Sequence, residues 1–272
     1  MAAPLRPLPR AYASFIRQLS RERRVRASEA AFVVEGIRAC GDLIRSYPNQ
    51  IRSVVVSSAY LRQEATAGRV DRALLDVVQY SCSDEIFTKL SDVEAPQGLL
   101  VVVHMPTWTE ADGVGCPQLL GVYGERLQDP ANVGTIIRTA AGLGLSGVWL
   151  SKDSIDCYHP KVVRGTAGAI LAMPVFQGVA LSNLSEAGCS IYAAVVSGDD
   201  SVELTAVRNR AARSIIAVGN ESQGLDPVTV SAATCRFSIP LTNRVESLNV
   251  AASVAIAAYH FAGLPLAKSS NT

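Results

Sequence analysis

The C-terminal stretch "IPLTNRVESLNVAASVAIAAY" (239–259) decides how this chain is read. From Val250 onward it is apolar or small on nearly every face, the pattern of a helix built for burial. Yet it is entered through Glu246, Ser247 and Asn249. Ser247 suits an N-cap and would leave the first-turn amides pointing at whatever sits above them. The alanines and serine behind it allow close backbone packing. The apolar run "RFSIPL" precedes this helix, and "SIIAVG" and "SIYAAVV" come earlier. Short β-branched runs alternating with helical patterns mean an α/β unit with a mostly parallel sheet.

Three further stretches of this half invite chemistry. "GLGLSG" (142–147) matches G-x-G-x-x-G, the dinucleotide fingerprint. That motif needs its glycines between a strand and a helix start, and here they follow a helix and precede a strand. They read as a helix end and turn. "LQDPANVGTIIRTA" (127–140) turns at Asp129-Pro130, and Asn132 is expected to open a helix that carries Arg138. Either this is a capped helix with a solvent arginine, or it is a polar site at the C-terminal edge of a sheet, where open α/β sheets bind ligands. "AVGNESQGL" (217–225) runs an apolar strand into a loop with Gly219 and Gly224 at its ends. Such a loop turns tightly and exposes backbone groups that can hydrogen-bond a flat heterocycle.

Upstream, residues 10–104 show a separate alternation. Helices are expected over 11–28, 37–47 and 61–75. Strands are expected at "AFVVE", "IRSVVVSS" and "GLLVVVHM", with short elements at "VVQYS" and "SDEIFTKL". "PTWTEADGVGCP" (106–117) breaks all periodicity and reads as a linker. The expected division is therefore 1–105, a linker at 106–117, and 118–272. Through Arg52 there are ten arginines against four acidic residues. That run is either a solvated helix face or a phosphate-binding surface, and arginine's planar fork suits the second.

Composition excludes several classes. The chain has 272 residues, 49% hydrophobic content and net charge +1, so it is neither disordered nor histone-like. No apolar run reaches the roughly 18–20 residues of a membrane span. The six cysteines and three histidines are scattered, so no metal site is expected and free thiols in a reducing compartment are. The arginine-rich N-terminus resembles a mitochondrial presequence in composition but runs on into an amphipathic pattern. A cytoplasmic location is expected, or a mitochondrial one in a eukaryote.

Taken together and in order, the segments resemble the SpoU (TrmH-like) family of RNA ribose 2′-O-methyltransferases, within the SPOUT superfamily. Its first motif is matched by Asp129-Pro130-Ala131-Asn132-Val133-Gly134-Thr135-Ile136-Ile137-Arg138, with alanine at 131 where glycine is usual. The second is matched by residues 219–224, and the third by Ile239-Pro240 with residues 246–250. "KVVRGTAGAI" also matches, with Thr166 where serine is common. Residues 12–104 resemble the substrate-binding domain of longer members.

The resemblance implies a C-terminal SPOUT α/β domain with a deep trefoil knot, preceded by a smaller L30e-like α/β domain. It implies a homodimer through the knotted domain and S-adenosyl-L-methionine as donor, with no metal. It places the donor against Gly198, Gly219, Asn220, Gly224, Ile239, Pro240, Leu248 and Asn249. By the same resemblance Arg138 acts on the 2′-hydroxyl, as base or as stabiliser of the alkoxide, with Asn132, Glu221, Ser247 and Asn249 around it. RNA would meet Arg17, Arg21, Arg23, Arg24, Arg26, Arg38 and Arg164. Ribosomal RNA is the favoured substrate. Transfer RNA, an antibiotic-resistance methylation of ribosomal RNA, and a non-catalytic RNA-binding protein remain the alternatives.

Overall fold

Runs of β-branched and leucine residues buried on both faces fix the centre of two sheets. In a computed structural model, which describes residues 5–67, 77–198, 200–242 and 245–266, these runs fall in two separate units. The first comprises residues up to Thr107 together with Tyr158–Leu171; the second comprises Trp108–Cys157 and Ala172 onward. The segment Tyr158–Leu171 was expected in the second domain. It clusters with the first unit because its helix packs on that unit's sheet strand Ala31–Glu35.

In chain order the first unit contains β1 (Arg6–Pro7), α1 (Arg10–Arg21), α2 (Arg23–Glu29), β2 (Ala31–Glu35), α3 (Ile37–Ser46), β3 (Ile51–Ser57), α4 (Ser58–Ala67), β4 (Gln79–Cys82), α5 (Asp84–Leu90) and β5 (Leu99–His104). The strand order is β1-β4-β3-β5-β2. β5 is antiparallel to both neighbours, whereas β4 is parallel to β1 and β3. Leu99 to Val103 are all buried, as a central strand requires. The helix expected over 11–28 is two helices, broken at Glu22, whose φ of −111° and ψ of 110° are extended. The helix expected over 61–75 begins three residues earlier, and residues 68–75 of that expectation lie outside the described residues.

The second unit contains α6 (Glu110–Gly113), β6 (Leu119–Gly124), α7 (Pro130–Gly142) and β7 (Gly147–Leu150). After α8 (Pro160–Thr166), which belongs to the first unit, come β8 (Val175–Gln177), α9 (Leu181–Glu186), β9 (Ser190–Ala194), β10 (Val202–Glu203), β11 (Arg213–Val218), α10 (Pro227–Ser231), β12 (Cys235–Ser238) and α11 (Val250–Ala262). Its sheet runs β10-β12-β9-β11-β6-β7-β8, with every neighbour parallel. The short helix α6 sits within the stretch expected as a linker. Gly144, at φ +67°, carries the chain out of α7, so "GLGLSG" is the expected helix end.

Chain order along this sheet places the site. β6 leads to β7 on one side, while β11 lies between β6 and β9 on the other. Such a reversal opens a crevice at the C-terminal edge of a parallel sheet. Val218 pairs with Gly124, so the loops after β11 and β6 leave the sheet level with each other. α11 packs on α7, β11 and β6. It buries Ala251, Val254, Ala257, Ala258 and Phe261 but leaves Ile256 44% and Tyr259 75% exposed. A helix expected to be buried all round is thus one-sided within this chain.

Candidate active site

Asp129-Pro130 begins the site. The Asp129 carboxylate accepts the Ala131 N–H at 2.8 Å and caps α7, with Pro130 at the first helical position, where no N–H is needed. Asn132 therefore does not open the helix; it lies inside the first turn and is buried. The cap of α11 is Asn249, whose Oδ1 accepts from Ala251 N at 2.9 Å and Ala252 N at 3.3 Å. Ser247, expected in that role, is exposed two residues upstream.

These two caps set the polarity of a three-residue network. Because the Asn249 oxygen is taken by the helix, its Nδ2 faces away and donates to Asn132 Oδ1 at 2.8 Å. Asn132 must then present its Nδ2 to a pure acceptor, and it donates to Glu221 Oε1 at 3.0 Å. Glu221 also accepts the Asp129 N–H at 3.2 Å and the Gln128 N–H at 3.4 Å. Burial raises the Glu221 pKa. The hydrogen bonds from Asn132 and the backbone outweigh it and hold the carboxyl below its ordinary range. At neutral pH it is an anion whose oxygens are occupied, so it orients rather than titrates.

The loop that carries Glu221 is closed by two backbone bonds, Asn220 N to Gly224 O at 3.0 Å and Gly224 N to Asn220 O at 2.9 Å. Gly219 lies so close to the loop's far end that a Cβ would sit 2.1 Å from the Gly224 carbonyl carbon. Only glycine fits there. The Asn220 side chain is used by the loop itself: Nδ2 donates to Arg126 O, and Oδ1 accepts from Ser222 N and Gln223 N.

Beside this loop lies a cavity of about 1180 Å³, bounded by residues 194–197, 218–225, 237–242 and 245–250. Gly219, Gly224, Ile239, Pro240, Leu248 and Asn249 border it, as do Glu221 and Ser247. Gly198 does not; the preceding residues Val195 to Ser197 do. Leu225, Phe237 and Leu248 together with Asn220, Glu221 and Asn249 give its lining the mixed apolar and polar character that a nucleoside requires.

Arg138 is exposed on α7, six residues from Asn132, and among the described residues it makes no hydrogen bond to the network. In the first unit, Arg17, Arg21, Arg23, Arg24 and Arg38 are exposed. Arg26, expected with them, is 2% exposed, and its Nη1 donates to Leu19 O at 2.7 Å. It satisfies a carbonyl at the C-terminal end of α1 and is part of the core. Arg164 pairs with Asp92 at 3.4 Å. Sequence reasoning missed Asp129 as the cap, although Asp-Pro before an apolar pattern is a helix-start signal. It also missed Glu125 and Arg126, which no pattern marks. Among the described residues no three metal-ligating side chains gather, and no helix is long and apolar enough to cross a membrane. Cys40, Cys82, Cys116, Cys189 and Cys235 are in no disulfide.

Comparison with known proteins gives this geometry its context. Residues 120–259 match the SpoU rRNA Methylase family, and residues 14–101 match an MRM3-like substrate binding domain. The chain is 28% identical to the 23S rRNA (guanosine(2553)-2′-O)-methyltransferase RlmP of Bacillus subtilis, over 88% of this chain and 91% of the relative. A putative RNA methyltransferase of the TrmH family from Porphyromonas gingivalis is 30% identical, with a TM-score of 0.76 over 93% of this chain and 98% of that one. An AdoMet-bound rRNA methyltransferase from Sinorhizobium meliloti shares the fold at 22% identity, with a TM-score of 0.77 over 95% and 97% of the two chains. The α/β architecture expected from the three motifs is thus that of SPOUT methyltransferases, and the chain belongs to the SpoU rRNA methylase family.

Proposed function

We propose that this chain transfers a methyl group from S-adenosyl-L-methionine to a ribose 2′-hydroxyl of 23S-type ribosomal RNA. The observation that carries the reading is the Asn249–Asn132–Glu221 relay, which joins three distant segments of the chain at a cavity suited to a nucleoside. The Bacillus relative's activity on 23S rRNA supports the substrate class. The backbone of Gly219, Gly224, Ile239 and Leu248 would hold the donor. When bound, its sulfonium supplies an already activated methyl group.

The chain's own residues then have to orient a hydroxyl and handle its proton. Glu221 fixes Asn132, and Asn132 fixes Asn249, which keeps one amide N–H for a ligand at the cavity wall. A guanidinium offers hydrogen-bond donors and no acceptor, so Arg138 is a poor base. It serves better as a cation that pairs with an RNA phosphate and stabilises the charge developing on the 2′ oxygen. The exposed arginines of the first unit would bind RNA phosphates, which position but do not specify.

A homodimer belongs to the same proposal. Thr139 and Leu143 of α7 and Ala255, Ile256 and Tyr259 of α11 form an almost wholly apolar surface. A second copy of this helix pair would cover it. The trefoil knot and a cytoplasmic site of action, where ribosomes are assembled, complete the reading.

The test is methyl transfer from radiolabelled S-adenosylmethionine to total RNA, with Arg138→Ala as control. Label in 23S rRNA that is lost in the variant is expected. Label confined to transfer RNA would overturn the substrate, and a protein that fails to bind the donor would overturn the enzyme reading.

A further inference from the structure

The turn between β6 and α7 contains a residue whose backbone and side chain both depart from the ordinary. Arg126 has φ +54°, the left-handed region that favours glycine or asparagine. Its N–H donates to Ser151 Oγ at 2.8 Å, which holds the turn in that shape. Its guanidinium is spread over three partners. Nη2 donates to Gly224 O at 3.3 Å and lies 3.4 Å from Glu125 Oε1, and Nη1 lies 3.6 Å from Asp226 Oδ2. Glu125 is itself buried and anchored, accepting from Thr229 Oγ1 at 2.6 Å and Asp226 N at 3.0 Å.

Both ends of the Gly219–Gly224 loop are therefore tied to one residue. The guanidinium grips the closing carbonyl of Gly224, and the Arg126 carbonyl accepts Asn220 Nδ2 at 2.9 Å. Two and three residues further on, Gln128 and Asp129 give their N–H groups to Glu221 in the same loop. A left-handed backbone is unfavourable for arginine, and the contacts of its side chain offset that cost.

We infer that Arg126 is a positioning residue that presets the donor loop, holding the Gly219–Gly224 backbone in its ligand-ready form before the donor arrives. The inference rests on the reading that the adjacent cavity takes S-adenosylmethionine. It makes Arg126 a determinant of donor affinity and leaves RNA affinity to other surfaces. A loop that is already ordered loses less freedom on binding, and that is where the affinity comes from.

Arg126→Gly separates this role from folding. Glycine removes the guanidinium and also removes the left-handed backbone cost, so the variant is expected to unfold near the wild-type temperature. Titration calorimetry with S-adenosylmethionine should show its dissociation constant raised about tenfold, the scale of one hydrogen bond to a charged group. KM for RNA and kcat at saturating donor should stay within about threefold. Arg126→Lys should fall between the two, because one ammonium cannot span all three partners. Wild-type donor affinity in Arg126→Gly would overturn the inference. So would a parallel loss of donor affinity, RNA affinity and melting temperature, which signals general loosening. A wild-type protein that fails to bind the donor would instead overturn the reading of the cavity.

Discussion

Replacing Asn132 by aspartate reverses the polarity on which the network depends. The side chain keeps its shape, but the Nδ2 that donates to Glu221 Oε1 at 3.0 Å becomes an oxygen. Losing a hydrogen bond to a charged group costs about 1.5–3 kcal/mol. Two ionised carboxylates at that separation repel by about 5.5 kcal/mol at an effective dielectric near 20, and by about 1.4 kcal/mol in water. Glu221 is an exposed residue, so the screened end applies. The sum is a destabilisation of about 3–4 kcal/mol at pH 8, or roughly 10 °C in melting temperature for a unit of this size.

The pH dependence supplies the sharper test. In the wild type the Glu221 pKa is lowered, so its contribution is present above the unfolded pKa and is lost as pH falls through the folded value. In the variant two carboxylates share the site and one pKa is raised, so stability is lost as pH rises through that value. The gap in melting temperature should therefore narrow steadily from pH 8 to pH 5, read by thermal unfolding in matched buffers. A gap that stays constant with pH, or a variant as stable as wild type at pH 8, would refute the assigned polarity.

Other consequences are as direct. Burial raises the Glu35 pKa, despite the hydrogen bond from Ser91 Oγ at 2.6 Å, so stability falls as pH rises through it. Glu35→Gln should accordingly raise the melting temperature at pH 8 more than at pH 5. Gly219→Ala places a Cβ 2.1 Å from backbone, so it should cost about 1–3 kcal/mol and weaken donor binding measured by calorimetry. Tyr259→Asp puts a charge on the exposed apolar face of α11 and should shift sedimentation velocity from dimer to monomer without lowering the melting temperature of the monomer. A dimer that survives the change would place the interface elsewhere.

Much of this architecture is local in origin, and local patterns are what a sequence displays. Runs such as "GLLVVVHM" and "SIIAVG" announce buried strands because both faces of a central strand must be apolar. Glycines 142 and 144 announce a helix end because their order against strand and helix is wrong for a phosphate loop. The three motifs, in their order, identify the family that residues 120–259 match. Side-chain roles within a pattern were less legible. The cap of α11 is Asn249, not Ser247, because both can cap and only the backbone course decides which residue begins the turn. Arg26 looks like its exposed neighbours, yet α2 turns it inward onto Leu19 O once the helix breaks at Glu22.

The site itself is tertiary. Asn132 and Glu221 lie 89 residues apart, and Asn132 and Asn249 lie 117 apart. No periodicity links residues at such distances; the order of parallel strands brings their loops to one edge. The same holds for Tyr158–Leu171, which sits in the sequence between two strands of one sheet and packs against the other. By itself the sequence determined which segments become strands and helices and which family's chemistry they carry, because periodicity and short motifs are properties of neighbouring residues. Only the tertiary structure decided which polar side chains meet, because hydrogen-bond polarity is set by partners that the fold brings together from distant parts of the chain.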